Sequence, residues 1–316
     1  MTSRSPAVSP IPPHRTDPTS TQAVELAEQP TLPLPRGLRR PRPPKPIIEV
    51  WGATSRGRVR KENEDQYLVA ALDRGLGVRR TSLGPATTTD SPQGLLLAVA
   101  DGVGGRAGGA IASATAVDAI ARDVLTAMPW VLDEDATDDD RLELRLDAWI
   151  SDAFRRTQRT MRRVAEDQGI DPRMATTFTM AYVAWPGLIV AHVGDSRCYL
   201  WRDEELQRLT SDHTMAQHLV AEGHLRPEEA APFDHMLVNT LGGSSDDLWV
   251  ELHRLTLEPG DQLLLCSDGL TGHLRDHELR DHLGRDCAIE TAVEDLVAHA
   301  NARGGRDNIT VVLARF

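Results

Sequence analysis

Apolar positions along the chain fall into two patterns. Three short stretches, residues 95–100, 188–193 and 263–266, are apolar at almost every position and run into an aspartate: Asp101, Asp195 (after Gly194) and Asp268 (after Ser267). Such runs, bounded by turn residues, read as buried strands. Residues 48–54, 176–185, 197–202, 248–255 and 309–316 also predict strands, several joined by short turns such as Pro186-Gly187 and Pro259-Gly260-Asp261. Helical spacing appears at 110–128, 142–168, 215–222, 277–283 and 289–302, with stops at Gly169 and Gly223. The stretch 211–214 reads as a helix cap. Residues 73–94 are polar without periodicity and are expected to form a hairpin-like insertion between two strands. Antiparallel-looking groups of strands and blocks of helices predict an α+β fold rather than a doubly wound sheet.

A carboxylate at the end of a buried strand is costly unless its charge is compensated. Three of them in one chain point to one shared cause, a site for hard cations gathered by several carboxylates. The formal net charge of −12 fits that reading and disfavours nucleic-acid binding. Three widely spaced cysteines, Cys198, Cys266 and Cys287, argue against a disulfide framework and fit a reducing compartment; Cys198 and Cys266 read as small core residues. No transmembrane run and no secretory signal is expected, which places the chain in the cytoplasm. Residues 1–46 hold twelve of the twenty prolines and a basic stretch at 36–46, so they predict a disordered tail, with the folded domain at 47–316. The acidic stretches at 133–135 and 138–140 read as a solvated loop.

The motifs Arg60-x-x-Asn63-Glu64-Asp65, Asp101-Gly102-x-Gly104-Gly105, Thr176-Thr177, Gly194-Asp195-Ser196-Arg197, Ser267-Asp268-Gly269 and Arg306-Asp307-Asn308-Ile309-Thr310 occur in this order. Each is weak alone. Together they make the chain resemble the metal-dependent serine/threonine protein phosphatases of type 2C, in their bacterial form. The resemblance runs from residue 48 to Phe316. It implies a four-layer α-β-β-α sandwich of two antiparallel sheets flanked by helices. It implies that Asp65, Asp101, Asp268 and Asp307, with the Gly102 carbonyl, hold two Mn²⁺ or Mg²⁺ ions, and that Asp195 with Asp268 holds a third, weaker one. Arg60 is implied as the phosphate fork and Glu64 as a group acting through metal-bound water. The implied reaction is hydrolysis of phosphoserine and phosphothreonine by a hydroxide bridging the two ions.

The resemblance further implies phosphorylated protein substrates, those of a serine/threonine kinase, and a monomer that binds neither nucleic acid nor membrane. Two positions depart from the family pattern. Val103 stands where eukaryotic relatives carry a histidine, and Ala175 where a glycine usually precedes the paired threonines. The alternative of a different class is a catalytically weak, phosphatase-like regulatory module. A dinucleotide fingerprint at Gly102-x-Gly104-x-x-Ala107 is disfavoured, because Asp101 would sit where pyrophosphate belongs and no βαβ series follows.

Overall fold

The computed structural model describes residues 46–72, 76–81, 94–103, 108–127, 139–243 and 247–316, which belong to one compact unit, Pro43–Phe316. The strands in chain order are β1 (Glu49–Ser55), β2 (Gln66–Leu72), β3 (Leu76–Thr81), β4 (Gly94–Ala100), β5 (Gly102–Val103), β6 (Ala175–Thr176), β7 (Phe178–Ala184), β8 (Gly187–Val193), β9 (Arg197–Arg202), β10 (Glu205–Arg208), β11 (Leu241–Gly242), β12 (Glu251–Thr256), β13 (Gln262–Cys266) and β14 (Ile309–Arg315). The helices are α1 (Gly108–Ala127), α2 (Asp139–Gln168), α3 (Met215–Ala221), α4 (Pro227–Ala230), α5 (Asp268–Thr271), α6 (Asp276–Leu283) and α7 (Ile289–Ala302). One sheet has the order β12-β8-β7-β4-β2-β3 and the other β1-β14-β13-β9-β10; a small third sheet, β11-β6-β5, adjoins them. All pairings are antiparallel.

Alternation within the apolar strands builds the layers. Leu95, Leu97 and Val99 point toward the second sheet, where they meet Leu263, Leu265, Val312 and Ala314. Their neighbours Leu96, Ala98 and Ala100 face Ala112, Ala116, Ile120, Ile150 and Phe154 of α1 and α2. On the second sheet Leu264, Cys266, Val311 and Leu313 face Leu279, Leu283, Val293 and Leu296 of α6 and α7. Both central strands are therefore covered on both faces, which is why their sequences are apolar throughout. This is the expected sandwich of two antiparallel sheets between helices. The three cysteines are free, and Cys198 and Cys266 are buried core residues, as expected.

The structure adds to the sequence reading at several points. Within 73–94, residues 76–81 form a strand paired with β2, and the rest of that insertion lies outside the described residues. The acidic stretch at 133–135 also lies outside them, and residues 139 and 140 belong to the first turn of α2 rather than to a loop. The strand expected at 176–185 is divided into β6 and β7, with Thr177 between them. The cap expected at 211–214 is Thr214, whose hydroxyl accepts from the Gln217 N–H at 3.3 Å.

Candidate active site

Strand register brings the distant aspartates to one edge. Gln66 pairs with Ala100, so Asp65 and Asp101, one step beyond each, are neighbours across β2 and β4. Phe178 pairs with Val193, which sets Thr177 against Gly194. In the second sheet Cys266 pairs with both Val311 and Arg197, so Asp268, Asp307 and Asp195 all leave that sheet at the same end.

Short polar side chains fasten this edge. One Asp65 oxygen accepts from the hydroxyls of Ser267 and Thr310, each at 2.7 Å. The Asp101 backbone N–H donates to Thr177 Oγ1 at 3.0 Å, and its carbonyl accepts from the Thr177 N–H and the Thr176 hydroxyl at 2.9 and 2.8 Å. Thr177 and Ser196 join through their hydroxyls at 2.7 Å, tying the Asp101 corner to the Asp195 turn. The Asn308 side chain accepts from the Glu64 N–H at 2.7 Å and donates to the carbonyls of Arg56 and Glu62, each at 2.9 Å. The serines, threonines and asparagine in the sequence motifs thus hold backbone in place.

The motif glycines allow backbones to touch. A Cβ on Gly102 would lie 2.2 Å from the Gly109 carbonyl oxygen at the start of α1. A Cβ on Gly269 would lie 1.8 Å from the Asn308 carbonyl oxygen. Gly194 has φ +111° and packs against Thr177, so it meets both conditions for glycine.

The assembled carboxylates strain against one another. Burial raises the pKa of Asp65 to about 7, with Asp268 and Asp307 adding repulsion against two hydroxyl bonds that lower it. Burial raises Asp195 to about 8, with Asp268 and Asp212 as further causes. Asp101 is pushed well above the ordinary carboxylate range by burial and by Asp65, Asp268 and Asp195. It shares a hydrogen bond with Asp268, itself raised by burial. The second oxygen of Asp65 and Oδ1 of Asp268 are buried without a protein partner. Unpaired buried carboxylate oxygens are rare, and a set of them converging with no histidine or thiol suits a hard divalent cation.

Arg60 lies at the rim, about half exposed, and donates to Asp307 Oδ2 at 2.5 Å. Glu64 is anchored through its backbone: its N–H is bound by Asn308 and its carbonyl accepts from the Ser113 hydroxyl at 2.5 Å. Its carboxylate has a raised pKa, chiefly from burial, and accepts from the Ala110 backbone N–H in the first turn of α1. Val103 is exposed beside this edge. All eight residues expected from the sequence therefore lie around one corner of the sandwich.

A second cluster was not anticipated. His192, His213 and Glu251 bring three potential ligand atoms within 4.8 Å of one another. Their hydrogen bonds form a consistent set without an ion. His192 Nε2 donates to the carbonyls of Gly194 and Ser211 at 2.9 and 3.0 Å, and its Nδ1 faces the Thr179 hydroxyl at 2.8 Å. Burial, with His213 adding to it, lowers the His192 pKa to about 4, so the ring is neutral. His213 Nδ1 accepts from the Gly194 N–H and the Asn239 amide, and its Nε2 donates to Glu251. Burial would raise the Glu251 carboxyl, but bonds from His213, His253 and the Ser211 N–H outweigh it and hold the group low.

This network secures the Gly194 turn and the entry to α3. Glu251→Ala is expected to cost about 2–3 kcal/mol, because buried donors lose their acceptor. A urea midpoint unchanged from the wild type would contradict that role. The signal in the sequence was the pair Asp212-His213, read there only as part of a helix cap.

A family model described as Protein phosphatase 2C matches residues 85–314. Protein phosphatase PhpP of Streptococcus pneumoniae serotype 2 is 35% identical over 220 residues, 69% of this chain and 84% of that protein. The solved serine/threonine phosphatase of S. agalactiae superposes with a TM-score of 0.69 at 29% identity, covering 85% of this chain and 99% of that one. The catalytic domain of the serine threonine protein phosphatase PstP, solved in complex with two manganese ions, superposes with a TM-score of 0.63 at 30% identity, covering 85% of this chain and 97% of that one. The chain belongs to the protein phosphatase 2C family, whose members are metal-dependent serine/threonine protein phosphatases.

Proposed function

We propose that this corner of the sandwich hydrolyses phosphoserine and phosphothreonine in proteins. The observation that carries the reading is the convergence of Asp65, Asp101, Asp195, Asp268 and Asp307, with two buried oxygens lacking partners, beside an arginine. Asp65, Asp101, Asp268 and Asp307, with the Gly102 carbonyl, would hold two Mn²⁺ or Mg²⁺ ions, and Asp195 with Asp268 a third. When bound, the ions supply Lewis acidity that activates water and neutralises phosphoryl charge. Arg60, held by Asp307 on the open side of the cluster, offers a planar fork to phosphate oxygens. Glu64, fixed by Asn308, Ser113 and α1, stands beside that approach as a proton acceptor with a raised pKa. Thr176, Thr177 and Ser196 hold Asp101 and Asp195 at a constant separation.

The regulatory-module alternative is not favoured, since every expected carboxylate is present and gathered. Among the described residues no helix is long and apolar enough to cross a membrane. The phosphoprotein substrates are read as products of a serine/threonine kinase, and the enzyme as a cytoplasmic monomer. The domain is taken to begin at residue 47, with 1–46 as a separate tail. The decisive experiment is hydrolysis of para-nitrophenyl phosphate and a phosphothreonine peptide with Mn²⁺ titrated from zero. Turnover should rise with Mn²⁺ and vanish with EDTA; metal binding without turnover would restore the regulatory reading.

A further inference from the structure

The carboxylate corner opens beside a turn that is basic in an acidic protein. The β1–β2 connection carries Arg56, Arg58 and Lys61 around Arg60, all exposed. It is packed backbone to backbone on the turn before β14. The N–H groups of Arg58 and Val59 both donate to the Gly305 carbonyl, at 2.7 and 3.3 Å, and a Cβ on Gly57 would lie 2.2 Å from the Asp307 carbonyl oxygen. That second turn adds exposed Arg306.

The Arg56 guanidinium donates to the Lys61 carbonyl at 3.2 Å, and Asn308 bridges the carbonyls of Arg56 and Glu62, so the connection is held in one shape next to Asp307. Among the described residues, Arg56, Arg58, Lys61 and Arg306 form no ion pair. Arg60 is engaged by Asp307, and Glu62 is the acidic member of the exposed stretch. The result is a fixed basic rim on a chain whose formal net charge is −12.

We propose that this rim selects acidic phosphopeptides. The phosphorylated residue enters beside Arg60, and flanking Asp or Glu side chains lie over Arg56, Arg58, Lys61 and Arg306. The proposal rests on the phosphatase reading above and adds the substrate class. Exposed charge pairs are each worth up to about fivefold in affinity, so two or three give about tenfold, and salt screens them over roughly 8–10 Å.

The test compares kcat/KM at low salt for three phosphothreonine peptides that differ only in Glu, Ala or Lys flanks, with para-nitrophenyl phosphate as the substrate without flanks. The expected order is Glu over Ala over Lys, with about tenfold between Glu and Ala, carried by KM and collapsing near 0.5 M salt. The double variant Arg58→Glu/Lys61→Glu should invert the order while para-nitrophenyl phosphate turnover is retained. Fluorescence anisotropy of the labelled peptides should give the same ranking without needing turnover. Equal values for the three peptides, or a double variant that ranks them as the wild type does, would overturn the proposal. Equal peptide values together with salt-sensitive binding of single-stranded RNA or anionic vesicles would assign the rim to another polyanion and overturn it equally. A protein that ranks the peptides in anisotropy yet hydrolyses nothing with Mn²⁺ would overturn the phosphatase reading alone.

Discussion

Asp101→Asn is expected to abolish Mn²⁺-dependent turnover, by about a thousandfold or more, and at the same time to raise the melting temperature of the metal-free protein. The first effect follows from losing a carboxylate that touches both halves of the cluster. The second follows from relieving repulsion, since Asp101 faces Asp65, Asp268 and Asp195. The gain should be about 2–4 °C.

The pH dependence has a definite sign. Asp65 and Asp195 are raised from 3.8 to about 7 and about 8, so the metal-free native state holds more protons than the unfolded chain. This contribution to stability is complete below about pH 4 and is lost as pH rises through 7 to 8. Asp101→Asn should flatten that decline, and Mn²⁺, binding only the native wild type, should reverse it. Thermal melts at pH 5 and pH 8, with and without Mn²⁺, measure all of this. A variant that melts lower than wild type when metal-free, or that keeps its Mn²⁺-induced shift, would remove Asp101 from the cluster.

Gly269→Ala is expected to be the most damaging single-methyl change at the site. Its Cβ would sit 1.8 Å from the Asn308 carbonyl oxygen and 2.8 Å from the carbonyl carbon, both rigid backbone. Relief requires α5 to move off the start of β14. That motion separates Asp268 from Asp307 and pulls on Asn308, which holds the Glu64 backbone and the Arg60 turn. A loss of about 3 kcal/mol in the denaturant midpoint, with most of the turnover, is expected. Gly284→Ala is the control. Its nearest neighbour would be the Arg280 carbonyl oxygen at 3.5 Å and its φ is −74°, so it should be neutral or slightly stabilising. Equal effects of the two changes would show that the contact between α5 and β14 is unimportant.

The layers were legible because burial on both faces leaves a continuous apolar run, as in β4, β13 and β14. The aspartates were legible because a carboxylate after such a run is anomalous. What escaped lies in contacts between positions far apart in the chain. Ser267 and Thr310 read as small strand residues until Asp65 is placed between them, across 202 and 245 positions. Asn308 stands in the sequence only as a motif position, yet its amide pins one distant loop, the β1–β2 connection, at Arg56, Glu62 and Glu64. His192 and Glu251 carry no local pattern, since they meet only through the register of β12 on β8. The strand at 76–81 was hidden because its partnership with β2 is made by backbone hydrogen bonds, which leave little trace in composition.

The strand order has a consequence for when the enzyme first exists during its own synthesis. Among the described residues β14 lies between β1 and β13, and β1 has no other partner in its sheet. A ribosome that has completed residues 1–300 has therefore made Asp65, Asp101, Asp195 and Asp268 but neither Asp307 nor the Thr310 hydroxyl that holds Asp65. β1 must wait for β14, made more than 250 residues later, and the long-range pairing makes that closure slow. Until then the carboxylate set lacks Asp307 and the hydroxyl that fixes Asp65, so a chain still short of β14 carries an incomplete site.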